Sequence, residues 1–218
     1  MTRLPIPNFF DSARVGEIWK VDYAARAADA RTFALQHNLQ PVSTSSERIS
    51  LMLIDVQNTF CMPGFELFVG GRSGNGAVED NVRLCEFMYR NLGNISHIIA
   101  TMDTHRSQQI FHPIFFIDAD GNHPAPYTDI HLEELQSGKW KFNAALSSQF
   151  NIAPEYGQQM MIHYAEALEK IGKYALTIWP YHAMLGGIGH ALVPAVEEVI
   201  FFHSHARIDQ PHFAIKGD

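Results

Sequence analysis

Residues 49–55, Ile-Ser-Leu-Met-Leu-Ile-Asp, form an unbroken apolar run that stops on an acid. Residues 97–105, His-Ile-Ile-Ala-Thr-Met-Asp-Thr-His, repeat the design. Such runs suit strands buried on both faces of a parallel sheet. Between them, Val78 to Leu92 reads as a helix, with Val78, Val82, Cys85 and Tyr89 near one face and Gly93 as its stop. Strand, helix, strand in that order makes one crossover unit. Further on, residues 174–179 read as a third strand, 189–206 as a helix with Pro194 early in it, and 212–216 as a short fourth strand. The expected class is therefore α/β with a mostly parallel sheet.

The rhythm breaks twice. Residues 1–47 read as a peripheral extension: a Pro-broken start, then an Ala-rich helix over 21–37 with Ala24, Ala27, Ala28 and Leu35 on one stripe. Residues 48–218 read as one domain, interrupted at about 112–174 by an insertion or lid that is rich in turns and carries a helix over 159–170. The Gly-rich stretch 70–77 lacks both the Lys-Ser or Lys-Thr of a phosphate loop and the spacing of a dinucleotide turn.

Charge and length narrow the function. A formal charge of −7 and a pI near 5.9 argue against a nucleic-acid surface. A chain of 218 residues is long enough for a good core, and no apolar run in it approaches membrane length. The only cysteines, Cys61 and Cys85, make no disulfide framework and suit a reducing cytoplasm. The N-terminus carries no apolar signal segment. A cytoplasmic protein with no membrane or nucleic-acid partner is expected.

In open parallel sheets, ligands bind beyond the carboxyl ends of the strands. Asp55, Asp103, His105 and Lys216 all sit at or just past such ends. Singly, an acid there can cap the next helix and a histidine can be a surface residue; their shared position points to one site. Asp103 and His105, with His182 from the segment Thr-Ile-Trp-Pro-Tyr-His, offer a carboxylate oxygen and two imidazole nitrogens. That donor set suits zinc, or iron or manganese with waters completing the shell. His97, His112, His123, His190, His203 and His205 compete for the role and read mostly as surface, helix or loop histidines.

These segments resemble the nicotinamidase and isochorismatase-like cysteine hydrolases. Leu-Met-Leu-Ile-Asp-Val-Gln-Asn-Thr-Phe resembles the family's first-strand motif. Thr-Met-Asp-Thr-His resembles its Asp-x-His segment, with Thr104 in place of the usual Trp. Trp-Pro-Tyr-His-Ala resembles its Trp-Pro-x-His segment, with Ala183 where a Cys is common. Ala-Ile-Lys-Gly-Asp resembles the Lys-Gly that carries its catalytic lysine. The resemblance implies a three-layer α/β/α fold, the isochorismatase-like hydrolase fold. It implies Asp55 as the base for a thiol, Lys216 as the cation beside it, Phe60 as a pocket wall, and Asp103, His105 and His182 as ligands of a divalent metal, zinc above iron or manganese. The implied reaction is hydrolysis of a small, pyridine-type carboxamide to acid and ammonia through a thioester. A thiol attacks only as thiolate, and an adjacent base and cation favour that state. Backbone amides beside the nucleophile would stabilise the oxyanion.

One element of that chemistry is missing. The family's nucleophile follows the lysine after a further helix and strand, so none is expected in this chain. Cys61 stands where relatives carry a non-catalytic Cys, and Cys85 falls on the buried face of a helix. The chain is therefore expected to be the N-terminal portion of a larger hydrolase domain, inactive alone, and a homo-oligomer when whole. Two alternatives stand beside it: a non-catalytic scaffold or binding relative, and a metal hydrolase that activates water and needs no thiol.

Overall fold

A computed structural model describes residues 3–46, 48–172 and 174–217. In chain order the elements are α1 (Tyr23–Gln36), β1 (Ser50–Leu53), α2 (Asn58–Cys61), α3 (Gly76–Arg90), β2 (His97–Asp103), β3 (Phe116–Ile117) and β4 (Asp129–Ile130). They continue with α4 (Leu132–Gln136), β5 (Lys141–Phe142), α5 (Ser147–Phe150), α6 (Pro154–Ile171), β6 (Leu176–Thr177), α7 (Pro194–Arg207) and β7 (His212–Lys216). The chain divides into two compact units, one of Met1–His105 with Ala183–Asp218, the other Arg106–His182.

The first unit is mixed α/β. Its sheet runs β1–β2–β7, all parallel, with Leu53 opposite Ala100 and Asp103 opposite Lys216. Alternate β2 residues Ile98, Ala100 and Met102 are buried with Leu53 against Cys85 and Met88 of α3 and Val196 and Val199 of α7. Side chains on a strand alternate between faces, so this face makes the core. The helix face expected on α3 is observed, since Val78, Cys85 and Tyr89 are buried. The helix ends at Arg90, capped at Asn91 by bonds to Phe87 and Met88 carbonyls, so Gly93 is not its stop.

Three expectations change here. The run 49–55 is not buried on both faces, because Met52 and Ile54 are 56% and 65% exposed. The second helical layer of a three-layer fold is thus not seen over these strands among the described residues. On α1, Asp22 caps the first turn by accepting from Ala25 N–H, but the buried residues are Ala30 and Phe33, while Leu35 of the expected stripe is exposed. The difference comes from packing: α1 lies on α7, where Phe33 meets Phe202 edge to face. The N-terminal residues read as peripheral therefore supply part of the core.

The second unit has its own core, built on Phe116, Ile130, Leu135, Phe142, Met161 and Ile178. Residues 174–179, read as a strand of the main sheet, contribute only β6. It pairs antiparallel with β4, placing Leu176 opposite Ile130. Buried Leu176 belongs to this local core, and that decides its partner. Helix α6 starts at Pro154, whose missing N–H costs nothing at a first turn, and ends at left-handed Gly172. Its Gly157 lies flat on the Phe142 ring, where an added Cβ would be 2.6 Å away.

Candidate active site and metal centre

The carboxyl ends of β1, β2 and β7 bring Asp55, Asp103 and Lys216 together. Lys216 Nζ lies 3.1 Å from Asp55 Oδ1 and 3.1 Å from Asp103 Oδ1. Register explains it: Lys216 is the direct neighbour of Asp103 across a parallel pair, so both side chains leave the sheet on one face. Asp55 is delivered by a left-handed backbone, φ 56°, a conformation that non-glycine residues adopt only under constraint. Thr101 supplies the constraint, accepting from Asp55 N–H at 3.1 Å and donating to Asp55 Oδ1 at 3.2 Å. Burial alone pulls the Lys216 ammonium down, but hydrogen bonds to Asp103 and Asp55 and their negative charge outweigh it. Its pKa therefore lies above the ordinary lysine value of 10.5.

The imidazoles are set by backbone carbonyls. His105 Nδ1 faces Gly217 O at 3.2 Å, and His182 Nδ1 faces Pro180 O at 2.7 Å. A carbonyl can only accept, so each Nδ1 carries a proton, and in the neutral ring Nε2 is the nitrogen that presents a lone pair. Metal-binding histidines are oriented this way. His105 Nε2 then faces Asp103 Oδ2 at 2.9 Å. Two acceptors that close need positive charge between them, from a proton or a metal ion. Asp103 thus divides its oxygens, Oδ1 to Lys216 and Oδ2 to the imidazole. His182 is the last residue before the chain re-enters the first unit at Ala183. Ala183 also has a left-handed backbone, φ 45°, and its carbonyl accepts from His105 N–H at 3.0 Å. Buried Asp103, His105 and His182 each offer one ligand atom, a group that could hold a metal ion. The donor set fits zinc, iron or manganese alike.

Sequence reasoning missed several supports. Gln57, fully buried, exchanges hydrogen bonds with both backbone groups of Asp103, at 2.7 and 2.8 Å. Thr104, noted only as a departure from Trp, bonds His190 Nε2 at 2.9 Å. Burial lowers the His190 pKa below 6.5, with His105 adding to the fall and the Asp103 charge opposing it. Gly217 has φ +80° and sits against Asp103 and His105. The available signals were the Gln two residues after Asp55 and the Gly after Lys216; neither can be assigned a contact without the register.

Phe60 shares with Asp55, Val56, Cys61, Val69 and Asn81 the lining of a cavity of about 470 Å³. Cys61 is 8% exposed and its Sγ lies 3.5 Å from the Asp55 main-chain oxygen. Burial pushes its thiol up, and the charges of Asp55 and Asp80 add to the rise. Cys85 is fully buried, and burial with the Glu198 and Glu86 charges pushes it up to about 12. A thiol so placed is a poor nucleophile.

Compared with known proteins, the chain matches no family model, no curated protein and no solved structure. No described helix is long and apolar enough to cross a membrane.

Proposed function

We propose that the chain carries the acid, amine and metal-ligand part of a metal-assisted cysteine amidohydrolase of the nicotinamidase type, acting on a small carboxamide. The observation that carries this reading is Lys216, one ammonium shared at 3.1 Å by Asp55 and by the ligand Asp103. It couples a general base to an ion site, which neither an isolated salt bridge nor a structural metal knot requires.

In this reading Asp55 takes a thiol proton and Lys216 holds the carboxylate charged and steadies the thiolate. The thiolate sulfur attacks the amide carbon, Asp55 returns the proton to the leaving nitrogen, and ammonia departs. Water then hydrolyses the thioester to the acid. Phe60 gives the ring of the substrate an apolar wall. A divalent ion on Asp103, His105 and His182, zinc first, would orient a heteroatom of the substrate. Neither Cys61 nor Cys85 suits the role of that sulfur, since both are buried with raised pKa. The isochorismatase-like three-layer fold and a cytoplasmic, homo-oligomeric state are part of the same proposal.

Ammonia release from nicotinamide by the whole protein tests it. Asp55→Asn and Lys216→Ala should each lower turnover by about 10²–10⁴-fold while zinc content, read by elemental mass spectrometry, stays near that of the parent. Retained turnover in either variant would sink the assigned roles. The burial of both thiols favours a second reading, an ion-binding relative without hydrolysis; it predicts zinc uptake with no ammonia from any amide. A thiol-independent metal hydrolase would instead keep its activity after alkylation and lose it to a chelator.

A further inference from the structure

We infer that His190 is a positioning residue for the Asp103–His105 ligand pair, acting through Thr104 and together with Gln57; the inference rests on the metal-centre reading above. The Thr104 hydroxyl has a single proton and two neighbours, Met102 O at 2.9 Å and His190 Nε2 at 2.9 Å. A carbonyl oxygen only accepts, so the proton goes to Met102. His190 must then donate Nε2–H to the hydroxyl oxygen, which fixes its tautomer.

The backbone of residue 190 is tied to the same segment. Gln57 Nε2 donates to His190 O at 2.9 Å and to Asp103 O at 2.8 Å, while Gln57 Oε1 accepts from Asp103 N–H at 2.7 Å. Both amide protons of this wholly buried side chain are spent on the join. His190 therefore grips Asp103 and Thr104 from two sides, one through its ring and one through its carbonyl. Thr104 lies between the two ligands, so any rotation of it moves both.

The loop that carries His190 is itself fixed. Asn58 N–H donates to Ala191 O at 2.9 Å, Thr59 N–H to Gly189 O at 3.0 Å, and Asn58 Nδ2 to Ile188 O at 2.8 Å. The loop is thus a rigid mount, with His190 as the strut from the mount to the ligand turn. His190 touches neither ion nor substrate in this role.

Zinc titration of the full 218-residue chain against a chromophoric chelator tests the inference. His190→Ala and Thr104→Val should each weaken zinc binding by about 10–100-fold, the usual effect of removing an outer-shell partner. His190→Gln keeps an N–H at similar reach and Thr104→Ser keeps the hydroxyl; both should recover most of the loss. Cobalt(II) provides a second readout. The visible spectrum should change in His190→Ala and match the parent in His190→Gln, which loss of stability alone would not produce. Equal zinc affinity and an unchanged cobalt spectrum in His190→Ala would overturn the inference, as would a His190→Gln variant no better than His190→Ala. If His190→Ala does not fold, Thr104→Val against Thr104→Ser decides by the same two readouts. A parent chain that binds no zinc would overturn the metal-centre reading, and this inference with it.

Discussion

At Gly217 an added Cβ would lie 2.8 Å from His105 Cε1 and 2.9 Å from Asp103 Oδ1, on a backbone with φ +80°. No rotamer of a larger residue avoids these atoms, because the clash begins at Cβ. Gly217→Ala should therefore cost about 1–3 kcal/mol in folding stability and weaken zinc binding about tenfold or more; chelator competition and urea unfolding measure the two effects. His203 carries a different kind of constraint. It is 1% exposed and bonds Ile95 O at 3.0 Å, and burial holds its pKa below 6.5, against that bond. The unfolded chain thus binds a proton that the folded chain resists. The His203 contribution is full above pH 6.5 and is lost as the pH falls from there toward the lowered folded value. The unfolding free energy from urea titrations should drop between pH 7 and pH 5, by at most about 1.4 kcal/mol per pH unit from this residue. His203→Gln should flatten that part of the slope, and an identical slope in the variant would exclude His203 as its source.

Elements are joined by a few buried polar side chains as much as by the core. Arg207, near the end of α7 and 3% exposed, donates to Leu92 O at 2.6 Å, Gln40 O at 2.7 Å and Ser45 Oγ at 2.8 Å. It thereby ties the segments that follow α1 and α3 to α7. Arg207→Ala leaves the buried Leu92 carbonyl without this donor and should cost about 1–3 kcal/mol, read as a fall in denaturant midpoint with little change in slope. In the second unit, Gly157 allows α6 to rest on Phe142 at a distance no Cβ permits. Gly157→Ala should destabilise by about 1–3 kcal/mol through overpacking, despite its better helix propensity. The periodicity of α3 was legible in the sequence because its apolar face repeats at helical spacing. The face of α1 was not, since alanines are common on both sides and burial was decided by Phe33 meeting Phe202.

The whole molecule holds two separate cores in two compact units. Disturbing one core should be read mainly within its own unit. In hydrogen-exchange mass spectrometry, Gly157→Ala should lower protection over residues 106–182 more than over the rest. A uniform loss across the chain would mean that the two cores unfold as one. By itself, the sequence determined the parallel β1–β2 pair, the helix between them, and the polar groups waiting at strand ends. Those features follow from local apolar pattern, which a single segment carries within itself. Tertiary structure alone decided that β7 lies next to β2, that β6 belongs to the second unit, and that Lys216 bridges Asp55 and Asp103. It also decided that Gln57, Thr104, His190 and Gly217 gather around the Asp103–His105 segment. The reason is physical: strand order, register and hydrogen-bond partners are properties of pairs of distant segments, and a partner tens to more than a hundred residues away leaves no periodic trace in either one.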